Sequence, residues 1–260
     1  MHEKNTFKII WYLFSALLMM WAVEFFTGVV LMTLGIKNAA WISMSSSAIA
    51  LPVVYYMYRK DRERYEKEGE LWWKCKAAAG AKEYVLLTVF GVALCIMCNN
   101  LLHLANAQSI DPAYVKMAEE LYQAPQPVLF LGAGILAPLV EEIVYRGMIY
   151  RRMRERLPIW QAALFVSILF GIGHGYLVQC LYALVQGMFL AYVYEKFRTI
   201  KAPILLHVVI NMTVLVMNWT KGFDWMLQNF VRASLITGLM TAVTLIMFEK
   251  IKNIKSEIKQ

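Results

Sequence analysis

PVLFLGAGILAPLVEEIVYRGMIY, from Pro127 to Tyr150, is a run of 24 residues in which only Glu141, Glu142 and Arg146 are charged. About 20 apolar residues in a helix cross the hydrocarbon of a bilayer, so this run is long enough to span one. Ionisable residues at membrane depth are costly, usually face the interior of a bundle and tend to mark function. The stretch therefore reads as a membrane span that carries chemistry.

Working outward, comparable apolar runs cover roughly 7–36, 41–58, 84–105, 159–174, 176–195, 202–218 and 226–248. With 127–150 they make about eight spans. A chain of 260 residues that is 60% hydrophobic belongs to the membrane class. A soluble chain of this length buries one or two cores without needing such runs. Lipid cannot satisfy free backbone groups, so helices are the default. The expected fold is all-α, a polytopic transmembrane helical bundle forming a single membrane domain over residues 1–260. The run at 159–174 is short and is expected to be tilted or enclosed by its neighbours. The first run is too long for the apolar region of a signal peptide, and no small-residue cleavage site follows it closely, so it reads as a retained span.

The net charge of +8 is unevenly placed. Lys4 and Lys8 precede the first run. Arg59, Lys60, Arg62, Arg64, Lys67, Lys74, Lys76 and Lys82 fill one polar segment. Arg151, Arg152, Arg154 and Arg156 fill another, Lys196, Arg198 and Lys201 a third, and Lys250, Lys252, Lys255 and Lys259 the tail. The alternate loops hold Lys37, Lys116 and Lys221, with Arg232 near a span end. Basic loops stay in the cytoplasm, which places both termini there in a multi-pass protein of the cell membrane. Charges at span ends do not make a nucleic-acid surface, and no nucleic-acid partner is expected. The segment 59–83 carries Trp72 and Trp73. It reads either as an amphipathic segment on the membrane surface or as a solvated loop with interfacial aromatics. Cys95 and Cys98 have redox-motif spacing but sit inside an apolar run, so core packing is their expected role.

The polar residues within the spans are Glu24, His103, Glu141, Glu142, Arg146, His174, His207 and Asn211. Glu142 and Arg146 are i and i+4 with the acid first, the favourable order for a pair. Glu141 is left without an obvious partner, free to act as a base or to bind something. Pro138 cannot donate to the carbonyl of Gly134, so a kink is expected just before the acids. Phe170 and His174 share a face, and so do His207 and Asn211. Gly171 and Gly173 allow close backbone approach. A base, two imidazoles and an amide suit hydrolysis, with a base to activate water and donors for an oxyanion. Two histidines and a carboxylate could equally bind zinc. HExxH, GxSxG and a glycine-rich phosphate loop are all absent.

Glu141-Glu142-x-x-x-Arg146-Gly147, Phe170-x-x-x-His174 and His207-x-x-x-Asn211 match, in order, the three motifs of the CPBP family. These are the CAAX prenyl endoproteases and their bacterial relatives, including proteins linked to bacteriocin processing and self-immunity. The resemblance covers roughly residues 127 to 220, the catalytic core region, with Ala137-Pro138 and Gly171 also fitting. It implies an all-α bundle with its site inside the membrane, opening towards the cytoplasm. It also implies that Glu141 activates water with His174, that His207 and Asn211 form an oxyanion hole, and that Glu142 and Arg146 support them. The implied reaction is hydrolysis of a peptide bond near the C-terminus of a membrane-associated peptide or protein. Members are often labelled metalloproteases, although a glutamate–water mechanism needs no metal. No cofactor or metal ligand is expected, zinc being the alternative. The competing function is a catalytically silent membrane immunity or regulatory protein that binds a peptide or a sensor kinase. A transporter is disfavoured because neither an internal repeat nor paired broken helices are evident. His103 matches no motif and is not expected to take part.

One geometric requirement follows. Measured along straight helices at about 1.5 Å per residue, Glu141 lies about 15 Å from Arg151, His207 about 9 Å from Lys201 and His174 about 27 Å from Arg156. To bring the three together, the helix of 127–150 is expected to run on towards Arg156. The charge asymmetry also fixes a testable topology. A cysteine at Lys255 should be labelled only from the cytoplasmic side. Labelling from outside intact cells would reverse the orientation.

Overall fold

The computed structural model describes residues 6–68, 75–77, 79–254 and 256–258. Among the described residues, ten helices longer than one 3-10 turn make up the body: α1 (Thr6–Thr33), α2 (Ala39–Lys67), α3 (Ala81–Leu104), α4 (Pro112–Tyr122), α5 (Gln126–Arg154), α6 (Ile159–Ile172), α7 (Leu177–Phe197), α8 (Lys201–Trp219), α9 (Gly222–Leu227) and α10 (Phe230–Lys252). Among the described residues, seven helices are long and apolar enough to cross a membrane, and α6, at 14 residues, is shorter. The protein is a multi-pass helical membrane bundle. A short antiparallel pairing of β1 (Cys75–Ala77) with β2 (Ser256–Ile258), absent from the sequence reading, ties the segment after α2 to the C-terminal tail. Trp72 and Trp73 lie outside the described residues.

The core gathers around α5. Over half of its apolar window, 56%, is buried, against 17% for α10. Helix α5 packs on α1, α2 and α8, while α3 packs on α8 and α10. Helices α6 and α7 form a close hairpin. A Cβ on Gly171 would come within 2.8 Å of the Cys180 carbonyl oxygen, and one on Gly187 within 2.9 Å of Ser167. Small residues at these crossings let the two backbones approach, the usual basis of helix association in lipid. The connecting turn needs a left-handed residue, and Gly175 supplies it at φ +78°.

Two elements run further than the apolar pattern implied. Helix α2 continues through Arg59–Lys67, where Arg59–Glu63 and Arg62–Glu66 pair at i,i+4. Helix α5 continues past Tyr150 to Arg154, as the depth of the motif residues required. Arg151 and Arg152 are buried there. Arg152 pairs with Asp61 at 2.7 Å and Arg154 with Glu195 at 3.1 Å. The first residues of α8 lie deeper than this end of α5, because Ile200 Cδ1 sits 3.6 Å from where a Cβ of Gly147 would be. Glu141 is six residues from Gly147 and His207 is six from Lys201, so the two side chains reach the same depth.

The loop between α3 and α5 is pinned by one buried carboxylate. Asp111 caps α4, with Oδ1 accepting from the Tyr114 N–H at 3.1 Å, and caps α7, with Oδ2 accepting from the Val178 N–H at 3.1 Å. Loss of one cap costs about 1 kcal/mol, so Asp111→Ala should destabilise the protein by about 2 kcal/mol. Thermal unfolding in detergent reads this directly. An unchanged transition would mean that the caps carry no weight.

Candidate active site

The backbone of α5 shapes the site before any side chain is considered. Two π-helical turns, Gly132–Leu136 and Ile143–Tyr150, flank the α-helical Ala137–Glu142. Such wide turns are rare and recur at functional sites. In the first, the Ala137 N–H bonds to the Gly132 carbonyl. The next carbonyl in that register, Ala133, would face residue 138, a proline with no N–H. Asn211 Nδ2 donates to it instead, at 2.8 Å. The wide turn moves the released carbonyl from Gly134, the one expected from the sequence, to Ala133.

Beneath lies a buried charge cluster. Glu142 and Arg146 are both 0% exposed and pair at 2.7 Å. The same Glu142 Oε1 lies 2.8 Å from His207 Nδ1. Arg146 Nη2 donates to the Gly187 carbonyl of α7 at 3.3 Å, and its guanidinium lies 4.5 Å over the Phe170 ring of α6. Phe170 also meets the rings of His174 and His207 edge-on, at 4.7 and 5.6 Å. Among the described residues, Glu142 Oε2 and Arg146 Nε are buried without hydrogen-bond partners.

Above the cluster is a cavity of about 460 Å³, lined by Glu141, His174, His207 and Asn211. That volume is within the roughly 300–1,000 Å³ of small-ligand sites. The structure thus brings together all four residues singled out from the sequence. Glu141 is 25% exposed and its Oε2 is 3.7 Å from His207 Nε2. His174 Nδ1 lies 2.7 Å from the Phe170 carbonyl oxygen. A carbonyl only accepts, so Nδ1 carries the proton and the Nε2 of neutral His174 is left with its lone pair. Glu141, His174 and His207 do not gather as a ligand set: among the described residues, no group of three or more His, Cys, Asp or Glu is placed to hold a metal ion. His103 is exposed at the end of α3 and does not line the cavity.

Residues 123–213 match the family model described as "Type II CAAX prenyl endopeptidase Rce1-like". This segment is similar to the CPBP family of intramembrane proteases. The relative described as "Putative membrane peptidase YdiL", from Bacillus subtilis (strain 168), is 29% identical over 112 residues. That match covers 43% of this chain and 46% of the relative. No solved structure matches the chain.

The CPBP motifs omit several polar residues of this cavity. Glu24 of α1 lines it, as do Ser43, Ser46 and Ser47 of α2 and Gln186 of α7. Gln186 is 3% exposed, and its Nε2 has no partner among the described residues. Tyr145 lines it too, one turn after Glu141. Its hydroxyl lies 2.8 Å from where a Cβ of Gly173 would be, which places it beside His174. The i,i+4 spacing from Glu141 was the available signal for Tyr145, and membrane depth was the signal for Glu24.

Arg146→Met would strand Glu142 in the protein interior. Breaking a comparable buried pair costs roughly 3–5 kcal/mol. The yield of folded protein should fall, and not turnover alone. Parental stability of this variant in detergent would mean that the cluster does not hold the bundle together.

Proposed function

We propose that the protein is an intramembrane endopeptidase in which Glu141 activates water against a peptide bond held in the cavity. The observation that carries this is the division between two adjacent acids: Glu142 is spent on Arg146 and His207, while Glu141 lines the cavity with no hydrogen-bond partner among the described residues. The supporting CPBP match is at family level, and the CAAX-type specificity belongs to the proposal.

In this scheme a water sits between Glu141 and His174 Nε2. Glu141 takes a proton as the water oxygen attacks the carbonyl carbon. The carbonyl oxygen becomes an oxyanion and needs donors. Asn211 has one amide hydrogen engaged by Ala133 and a second to offer. His207 has Nδ1 committed to Glu142, and its Nε2, 3.7 Å from Glu141 Oε2, is the ring nitrogen left to face the oxyanion. The Tyr145 hydroxyl is a third donor within the same cavity. As the tetrahedral intermediate collapses, the C–N bond breaks and the departing amine takes the proton back from Glu141, which regenerates the carboxylate. The substrate would be a membrane-associated peptide or protein. No step is routed through a metal.

The test is turnover of a membrane-anchored peptide by purified protein, before and after exhaustive chelation, with elemental analysis of the same sample. Cleavage that survives chelation and is abolished by Glu141→Gln is the expected result. Activity lost on chelation, restored by zinc and matched by about one ion per chain would replace this scheme with a metal-bound water. Peptide binding without cleavage would favour the immunity or regulatory role.

A further inference from the structure

The cavity has a closed end and an open end. Tyr145, Phe170, Ala183, Gln186 and His207 form a buried floor. Towards α4 the lining opens out: Ala39 and Gly173 are exposed, and Met117, Leu121 and Tyr176 are half-buried. On α2 the lining stops at Ala50, on α5 at Tyr145 and on α7 at Gln186. Beyond those points the same helices run on to Lys67, Arg154 and Phe197 and carry the basic residues. The mouth therefore faces away from the basic end of the bundle. Basic loops lie in the cytoplasm, so the mouth faces the opposite side. The family resemblance implied the reverse.

The walls also select chemically. Glu24 and Glu141 line the cavity, and among the described residues no lysine or arginine does. Arg146 lies in the buried cluster and is committed to Glu142. A free C-terminal carboxylate entering here would lose water and gain no cation, whereas a lysine or arginine side chain would find Glu24. Glu24 is exposed on α1, beside Trp21, which is 39% exposed and also lines the cavity. The cavity is thus reachable sideways from the bilayer at that height.

We propose that the substrate is a membrane-anchored peptide whose cleaved segment enters from the non-cytoplasmic face, with a lysine or arginine, rather than a free C-terminal carboxylate, meeting Glu24. This rests on the peptidase reading and names the substrate class for that same site.

The experiment compares peptide termini in membranes of cells that produce the full chain, its Glu141→Gln variant or its Glu24→Gln variant. Termini that depend on Glu141 should map to the non-cytoplasmic flank of membrane anchors, with lysine or arginine within a few residues. Glu24→Gln should lower the yield of those products about fivefold to tenfold, the worth of one partly solvated charge contact. Glu141-dependent termini on the cytoplasmic flank would overturn the entry side, and equal yields with Glu24→Gln would overturn the charge preference. An absence of Glu141-dependent termini would overturn the peptidase reading, and this proposal with it. A second measurement needs no turnover. Met117→Cys, at the mouth, should react with a membrane-impermeant maleimide added outside intact cells, above the background of the parent chain. Reaction only in inverted membranes would place the mouth in the cytoplasm and overturn the proposal.

Discussion

One carboxylate oxygen holds the centre of this bundle. Glu142 Oε1 binds Arg146 within α5 and His207 on α8, while Arg146 reaches the Gly187 carbonyl on α7 and lies over Phe170 on α6. Four helices therefore meet at a single buried ion pair. In a medium of low dielectric, neither charge is tolerable without the other. The interaction sets how far α5 slides against α7 and α8, and so the depth at which Glu141, His174 and His207 come together. The other polar contacts of α5, Asn211 with the Ala133 carbonyl and Arg152 and Arg154 with Asp61 and Glu195, lie on either side of this cluster, which fixes the register at the depth of the site.

The spans were legible because apolar length is a direct consequence of bilayer thickness. Their ends were less so. Arg151 and Arg152 read as interfacial residues, yet both are buried. The Asp61 that pairs with Arg152 is 91 residues away, a distance no local pattern reveals. Polarity, rather than helix periodicity, marks a boundary at Tyr58 in the sequence, so the ionic turns of α2 beyond it read as a segment separate from the span. The strand pairing of residues 75–77 with 256–258 joins segments that lack any strong strand pattern.

At the site, spacing was informative wherever two residues of one helix act together. Glu142 with Arg146, Phe170 with His174 and His207 with Asn211 are all one turn apart, and each pair faces the same cluster or cavity. Pairings between helices were invisible. Nothing in the sequence links Asn211 to Ala133, because that bond depends on a π-helical turn combined with a proline. Ser46, Ser47 and Gln186 look like ordinary polar residues in apolar runs until the cavity in front of them is seen. The direction in which the cavity opens was also hidden, since it follows from where α4 and the α6–α7 turn lie in space.

Under the proposed function, two neighbouring acids have opposite tasks, Glu142 structural and Glu141 chemical. Thermal stability of Glu141→Gln and Glu142→Gln, measured side by side in the same detergent, tests this most directly. Glu142→Gln should lose roughly 3–5 kcal/mol, because Arg146 is left as an uncompensated charge. Glu141→Gln should lose far less, because it removes a carboxylate that is 25% exposed and whose ion-pair neighbour, His207 Nε2, lies 3.7 Å away, beyond hydrogen-bond distance. A Glu141→Gln variant destabilised as much as Glu142→Gln would contradict the division and with it the assignment of Glu141 as the base.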